Sequence, residues 1–141
     1  MEKDLLVKKT IKISADAAKV WNALTNPKMI KQYLLGTKVV TDWKVGSEIS
    51  FQGNWKGKKF RDKGRIEKIE IEKIFQYTYW SELSGLEDRI ENYSLITFEL
   101  SGDSKITKLS VSQKGFADKT SQVHSDKSWN LALQKIKELL E

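Results

Sequence analysis

The spacing of apolar residues changes twice along this chain, and this limits the folds open to it. Between about residue 36 and residue 116, apolar side chains recur at every second position in short segments separated by turns, which is the pattern of half-buried strands. Before and after this region the spacing is that of amphipathic helices. The sequence therefore predicts an α+β protein in which helices near the start and one long helix at the end accompany an antiparallel sheet.

The first 34 residues predict one strand and two short helices. Residues 4–14 alternate as a strand does, and Ser14 stands where the first helix needs an N-cap. Asn26 and Pro27 predict that a second helix starts there, because asparagine caps helices and proline fits the first helical position. The expected apolar stripe of the first helix is Ala17, Val20, Trp21 and Leu24.

The aromatic residues are numerous, with five tryptophans, four tyrosines and five phenylalanines. Strand phase points many of them to one face of the sheet, where they could fill a core or line a pocket. Gly53 and Gly64 are in phase with these residues and add no side chain, which favours an open space on this face of the sheet. The residues predicted to face inward, on the sheet and on the final helix, are Phe51, Phe60, Phe75, Tyr77, Tyr79, Phe98, Trp129, Leu133 and Ile136.

Asp62 is the one carboxylate whose phase matches these inward residues. An inward carboxylate would need hydrogen-bond donors such as Tyr77 or Tyr79, and it could serve as a polar anchor or as an acid acting on a carbonyl ligand. The phase of a β-strand that is predicted from sequence alone is often wrong by a residue or more. We therefore expect the phase to slip before Asp62 and its side chain to face water. A second change of phase, at Ile69 and Ile71, predicts a bulge.

The net charge of +6 comes mainly from one dense segment, residues 56–65, which has six basic residues in ten. We interpret it as a solvated hairpin whose lysines keep an edge strand from pairing, and we expect no nucleic acid partner. There are no cysteines and one histidine, His124. We expect His124 to be a solvated helix residue, and we predict no catalytic residue, no metal site and no cofactor. Because the sequence has no long apolar run, we expect no membrane-spanning helix. Because no signal peptide is recognised, we expect a cytoplasmic location.

The order of elements and several segments resemble the helix-grip fold of the START-like superfamily. Within it, the chain is similar to the branch named after the activator of heat-shock protein 90 ATPase homologue. The segments that carry the resemblance are KVWNALTNP (19–27), WKVGSEISF (43–51), GRIEKIE (64–70), YTYW (77–80), LITFEL (95–100), TKLSVSQKGF (107–116) and SWNLALQKIKELL (128–140). The chain departs from the branch at Ser128, where glycine is usual, and in its lysine-rich hairpin.

The resemblance implies a single domain over residues 1–141, with a curved antiparallel sheet of about six to seven strands wrapped around a long C-terminal helix. It also implies a cavity between sheet and helix. We expect a non-enzymatic domain that holds a small hydrophobic or aromatic molecule, a class that includes lipids. We expect the protein to be a monomer or a weak dimer. Two alternatives stay open: a module that binds a chaperone ATPase in a stress response, and a cyclase-like or hydrolase-like enzyme.

Overall fold

The structure of the chain, a computed structural model, describes residues 2–141, without the side chains of residues 2–4 and of Trp55. Its helices are α1 (Ala17–Thr25), α2 (Pro27–Tyr33) and α3 (Lys119–Leu140). Its strands are β1 (Glu2–Ile13), β2 (Lys38–Val40), β3 (Glu48–Trp55), β4 (Lys58–Glu70), β5 (Ile74–Tyr79), β6 (Ser94–Gly102) and β7 (Thr107–Phe116). Two 3₁₀ turns, Glu82–Ser84 and Ile90–Asn92, lie between β5 and β6.

The strands of the described chain form one antiparallel sheet of seven in the order β1-β7-β6-β5-β4-β3-β2. The sheet is curved, and α3 lies in its concave side with Ala132, Leu133 and Ile136 buried. The two short helices follow β1, as the sequence predicts. The predicted helix-grip α+β fold is therefore confirmed.

The start of α1 differs from the prediction. Asp16, and not Ser14, caps the helix, because its carboxylate accepts a hydrogen bond from the backbone N–H of Lys19 at 2.9 Å. The backbone N–H of Ser14 instead donates to the Glu141 carboxylate at 2.8 Å. The start of α2 is as predicted, with Asn26 accepting from the backbone N–H of Lys28 at 3.0 Å and proline next to it.

The outer edge of β1 is covered by side chains of α3. Gln122 donates to the backbone carbonyl of Leu6 at 2.9 Å, and Lys137 donates to that of Lys12 at 3.0 Å. Lys9 on the same strand pairs with Asp126 of α3 at 2.9 Å. Unpaired backbone N–H and C=O groups on an edge strand can pair with a strand of another chain. These contacts of α3 therefore cover the β1 edge of the sheet.

The predicted bulge in β4 is present. The register between β4 and β5 shifts between Ile66 and Lys68, which moves Ile69 back to the inner side, where it packs against the core. Ile71 does not follow, because β4 ends at Glu70 and Ile71 is exposed in the turn after it. At the other end of β4, a two-residue turn joins it to β3. Both turn residues, Lys56 and Gly57, have positive φ (51° and 80°), which suits the right-handed twist of a hairpin.

Trp129 connects α3 to the sheet. Its half-buried ring meets Phe98 edge to face at 5.5 Å between ring centroids, and its indole N–H donates to Gln113 Oε1 at 2.8 Å. We expect Trp129→Ala to lower the free energy of unfolding by about 3 kcal/mol, at the lower end of aromatic truncations because the ring is half buried. Chemical denaturation measures this, and a loss below about 1 kcal/mol would contradict the placement of the helix.

Candidate binding site

A small cavity lies between the sheet, α3 and the two short helices. Its volume is about 20 Å³, which is room for roughly one water molecule. Its wall comes from α1, α2, the loop before β3, three strands and α3. The lining residues are Leu24, Ile30, Tyr33, Leu34, Trp43, Ile49, Phe51, Phe75, Tyr77, Phe98 and Trp129.

Aromatic rings in mutual contact make most of this wall. Phe75 lies 5.1 Å from Tyr77, 6.3 Å from Phe98 and 5.8 Å from Trp43, measured between ring centroids. Phe51 lies 5.5 Å from Tyr77. The rings thus interlock over most of the concave surface and leave a small residual space, and any larger occupant requires side chains of the wall to move.

The nine predicted inward residues divide into three groups, of which the third, Phe60 and Tyr79, is half buried and lies outside the cavity wall. Five of them line the cavity: Phe51, Phe75, Tyr77, Phe98 and Trp129. Leu133 and Ile136 lie on the buried face of α3 as core residues and do not line the cavity. Phe60 is half buried, and its ring lies over Gly53.

The interpretation of Gly64 as a source of space is wrong. A Cβ atom at Gly64 would lie 1.6 Å from the carbonyl oxygen of Thr78, so the backbone of β5 occupies the volume that a side chain would need. The backbone N–H of the next residue, Arg65, donates to the Thr78 hydroxyl at 2.9 Å. Gly64 is the point of closest approach between β4 and β5, and it contributes nothing to the cavity.

The expectation that Asp62 faces water is also wrong. Its side chain is 5% exposed, because the phase of β4 does not slip before Ile66. Its carboxylate accepts hydrogen bonds from the Tyr79 hydroxyl and from the backbone N–H of Glu82, the latter at 3.0 Å. Both oxygens therefore have donors, and the carboxylate fixes the start of the segment that joins β5 to β6.

A chain of hydrogen bonds that was not predicted from the sequence crosses the sheet. Gln113, which accepts from Trp129, donates to the Ser94 hydroxyl at 2.9 Å, and this hydroxyl donates to the backbone carbonyl of Tyr79 at 3.3 Å. The chain links α3, β7, β6 and β5. The alternation of residues on β7 places Gln113 on the inner face of the sheet, and a buried glutamine needs hydrogen-bond partners. This alternation is the sequence feature from which the chain could have been predicted.

Tyr79→Phe is expected to destabilise the protein by about 1.5–3 kcal/mol, because it removes a hydrogen bond to a charged carboxylate that stays buried. Since the hydroxyl points to Asp62 and away from the cavity, we expect ligand binding in the cavity to be unchanged. Denaturation with urea tests the first part. Tyr33→Phe serves as a comparison, because it removes one hydrogen bond between neutral groups, from its hydroxyl to the carbonyl of Ala23 at 3.0 Å. A cost for Tyr79→Phe no greater than for Tyr33→Phe would contradict the prediction.

The two tyrosines of the cavity wall differ in hydrogen bonding. The Tyr33 hydroxyl donates to the carbonyl of Ala23 at 3.0 Å. The Tyr77 hydroxyl makes no hydrogen bond to any described residue, although its side chain is only 5% exposed. Burial raises the pKa of both phenols well above the usual value, so both stay protonated over the whole neutral range.

Several cavity residues were not predicted as site residues, and Trp43 is the most informative. It lies in the loop between β2 and β3, outside any periodic segment, so phase could not place it. Its backbone φ is +62°, a conformation that costs free energy for a bulky residue. Leu34, at the end of α2, precedes Leu35, which also has positive φ (51°). Leu34 and Trp43 are half buried, so they form the outer wall.

The basic hairpin lies away from this cavity. Lys58, Lys59, Arg61 and Arg65 are exposed, while Lys63 is half buried and pairs with Asp88 at 2.6 Å. Arg61 pairs with Glu48 on the neighbouring strand. The segment is thus a solvated hairpin, as predicted, although β2 covers part of β3 and leaves only the tip at the edge of the sheet.

Other features bear on the chemistry of the chain. His124 is exposed on α3, as expected. Among the side chains that the structure describes, no three metal-binding groups come together as an ion would require. Among the helices of residues 2–141, none combines the length and the apolar character that crossing a membrane requires.

Comparison with known proteins places the chain in a family. A family model described as "Activator of Hsp90 ATPase homolog 1-like protein" matches residues 14–141, which is nearly all of the chain. The chain belongs to this family. The family lies within the START-like superfamily, as the sequence resemblance indicates. No curated protein matches the chain significantly.

Solved structures agree with this family assignment. A protein from Cytophaga hutchinsonii, solved in solution, is 40% identical with a TM-score of 0.84, over 99% of this chain and 96% of that one. A structure described as the Aha1 dimer from Colwellia psychrerythraea is 19% identical with a TM-score of 0.75, over 96% of both chains. An Hsp90 activator from Plasmodium falciparum is 18% identical with a TM-score of 0.77, over 96% of both chains. The last two show likeness of fold alone.

Proposed function

We propose that this family member is a non-enzymatic binding domain that holds a small apolar or aromatic molecule between the sheet and α3. The observation that carries the proposal is a cavity at this position walled by phenylalanine, tyrosine and tryptophan rings. Small-molecule sites in proteins are concave and mainly apolar, with few polar groups. The enzyme alternative requires Asp62 or a tyrosine to act as an acid on the ligand. Asp62 and Tyr79 are hydrogen-bonded to each other and neither lines the cavity, which argues against this role for them.

Binding of a ligand larger than water requires the cavity to widen. Leu34 and Trp43 are the wall residues that can move at least cost, because both are half buried and both lie on the segment that connects α2 with β3. The positive φ of Trp43 adds backbone strain that a displaced conformation releases. The segment from Leu34 to Trp43 therefore acts as the entrance in this proposal.

Two neighbouring leucines provide the test. Leu34 lines the cavity, whereas Leu35 is 92% exposed and does not. We expect an environment-sensitive hydrophobic dye to bind the wild-type protein saturably and to quench its tryptophan fluorescence. Leu34→Ala should tighten binding several-fold, because it enlarges the space, and Leu35→Ala should leave it unchanged.

The results that would refute the proposal are specific. Absence of saturable binding to both the wild type and Leu34→Ala would mean that the rings form a closed core. Equal effects of the two leucine substitutions would mean that the dye binds the surface. Either result would leave the second candidate below as the better account.

The second candidate function is binding of a chaperone ATPase through the basic hairpin. Lys59, Arg61, Lys63 and Arg65 lie at every second position on one face of β4, with Lys63 paired to Asp88. Such a row attracts an acidic surface. The support from the comparisons is the family description and the fold likeness to the Hsp90 activator from Plasmodium falciparum. This candidate does not exclude a ligand in the cavity.

A charge-reversal pair tests this candidate. Lys59→Glu with Arg65→Glu changes the hairpin, and Lys8→Glu with Lys114→Glu makes the same change in net charge at exposed positions of β1 and β7. If the hairpin binds a purified Hsp90-type chaperone, the first pair should weaken binding at least tenfold in calorimetric titration. Equal weakening by both pairs would indicate only a long-range charge effect and would count against a hairpin site.

A further inference from the structure

The polar groups of the cavity wall are few, and they restrict what the cavity can hold. All eleven lining residues are uncharged. The Trp129 indole N–H is bonded to Gln113, and the Tyr33 hydroxyl is bonded to the carbonyl of Ala23. The Trp43 indole is half buried at the outer wall. The Tyr77 hydroxyl is the polar group of the inner wall that has no partner among the described residues.

The Tyr77 hydroxyl is accessible within the site and not sealed in the core. Every fully buried polar side-chain atom of the described residues has a hydrogen-bond partner. Since the Tyr77 hydroxyl has none, a water-sized group can reach it, and Tyr77 lines the cavity. A buried hydroxyl without a partner costs free energy, so a molecule in the cavity that accepts its hydrogen bond recovers that cost.

The same wall disfavours anions. No lysine, arginine or histidine lines the cavity. The carboxylate of Asp62 lies behind its wall, bonded to Tyr79, whose ring meets Phe51 at 5.7 Å. An isolated carboxylate moved from water into such surroundings loses far more solvation than a ketone or an ether does. Because burial raises the pKa of Tyr77, the phenol remains a neutral hydrogen-bond donor.

We propose that the cavity selects neutral apolar ligands with one oxygen that accepts a hydrogen bond from Tyr77, such as ketones, esters or ethers, and that it discriminates against carboxylates. This inference rests on the proposed binding function and names the ligand class of that site.

Three probes of nearly equal size test the inference: acetylnaphthalene, ethylnaphthalene and naphthoate. Titration against tryptophan fluorescence should give the tightest binding for the ketone and binding at least tenfold weaker for the carboxylate. Tyr77→Phe should weaken the ketone about 2–10-fold relative to the hydrocarbon, as expected for one neutral hydrogen bond. Tyr79→Phe is the matched control, because its hydroxyl is bonded to Asp62 and its side chain does not line the cavity, and it should leave that ratio unchanged.

Each outcome decides between the two proposals. If the probes bind but naphthoate binds as tightly as the ketone, or Tyr77→Phe does not change the ratio of ketone to hydrocarbon, the ligand class is wrong and the binding function stands. If none of the three probes binds, and the dye does not bind either, both proposals fall. Tyr77→Phe is expected to fold normally, because the hydroxyl it removes has no partner to lose among the described residues.

Discussion

Gly64→Ala is expected to lower the free energy of unfolding by at least about 3 kcal/mol, at the upper end of what overpacking usually costs. The added carbon would lie 1.6 Å from the Thr78 carbonyl oxygen and 2.5 Å from its carbon. Both atoms belong to the backbone of the neighbouring strand, so no change of rotamer relieves the overlap. Leucine at this position should leave no folded protein, and therefore cannot be used to fill the cavity.

Gly53→Ala is the matched control for this prediction. It lies on the neighbouring strand and its φ is not left-handed, and the three atoms nearest to its Cβ would all belong to the ring of Phe60, the closest at 2.7 Å. This ring is half buried and can turn aside, so we expect a cost of about 1 kcal/mol or less. Equal unfolding midpoints for the two alanine variants in urea would show that β4 and β5 are not as close at Gly64 as described.

The protein is expected to lose stability steeply above about pH 10. Burial raises the pKa of Tyr33 and Tyr77 in the folded state, so above the ordinary tyrosine pKa the unfolded chain has lost protons that the folded protein keeps. Stability from these groups is therefore fully present below that pH and falls as pH rises. Each tyrosine contributes a loss of about 1.4 kcal/mol per pH unit. Tyr79, whose pKa burial also raises, acts in the same direction.

Absorbance of tyrosinate and circular dichroism, recorded together against pH, measure this loss. We expect the buried tyrosines to ionise only as the protein unfolds, so that the two signals change at the same pH. Phenylalanine at both Tyr33 and Tyr77 should make the alkaline loss shallower by about 2.8 kcal/mol per pH unit. Ionisation of all tyrosines near pH 10 in a protein that stays folded would contradict the burial described for the two rings.

The sequence predicted those parts of the site that depend on strand phase. Phe51, Phe75, Tyr77 and Phe98 face the cavity because alternation on β3, β5 and β6 fixes which side they occupy. Trp43 could not be placed in this way, since it lies in a loop whose left-handed backbone is set by tertiary contacts.

The two corrections at the site have different physical causes. Asp62 stays in phase because its buried carboxylate is stabilised by Tyr79 and by a backbone N–H, partners from a neighbouring strand and the turn after it, which a sequence does not show. At Gly64, a missing side chain can mean either empty space or close approach of another backbone. Only the three-dimensional distance to Thr78 distinguishes the two.

The pairing of β1 with β7 sets the order in which the sheet can form. Thr10 and Ser110, whose hydroxyls are hydrogen-bonded, are 100 residues apart in the chain. By contrast, each of the strands β3 to β6 pairs with the strand that follows it in the chain, and the longest connection, residues 80–93, lies between β5 and β6. Closing a long loop costs entropy before any contact is gained. We therefore expect the hairpins to become protected first in pulse-labelled hydrogen exchange. β1 and the α3 side chains that cover its edge should follow as the last, rate-limiting step of refolding.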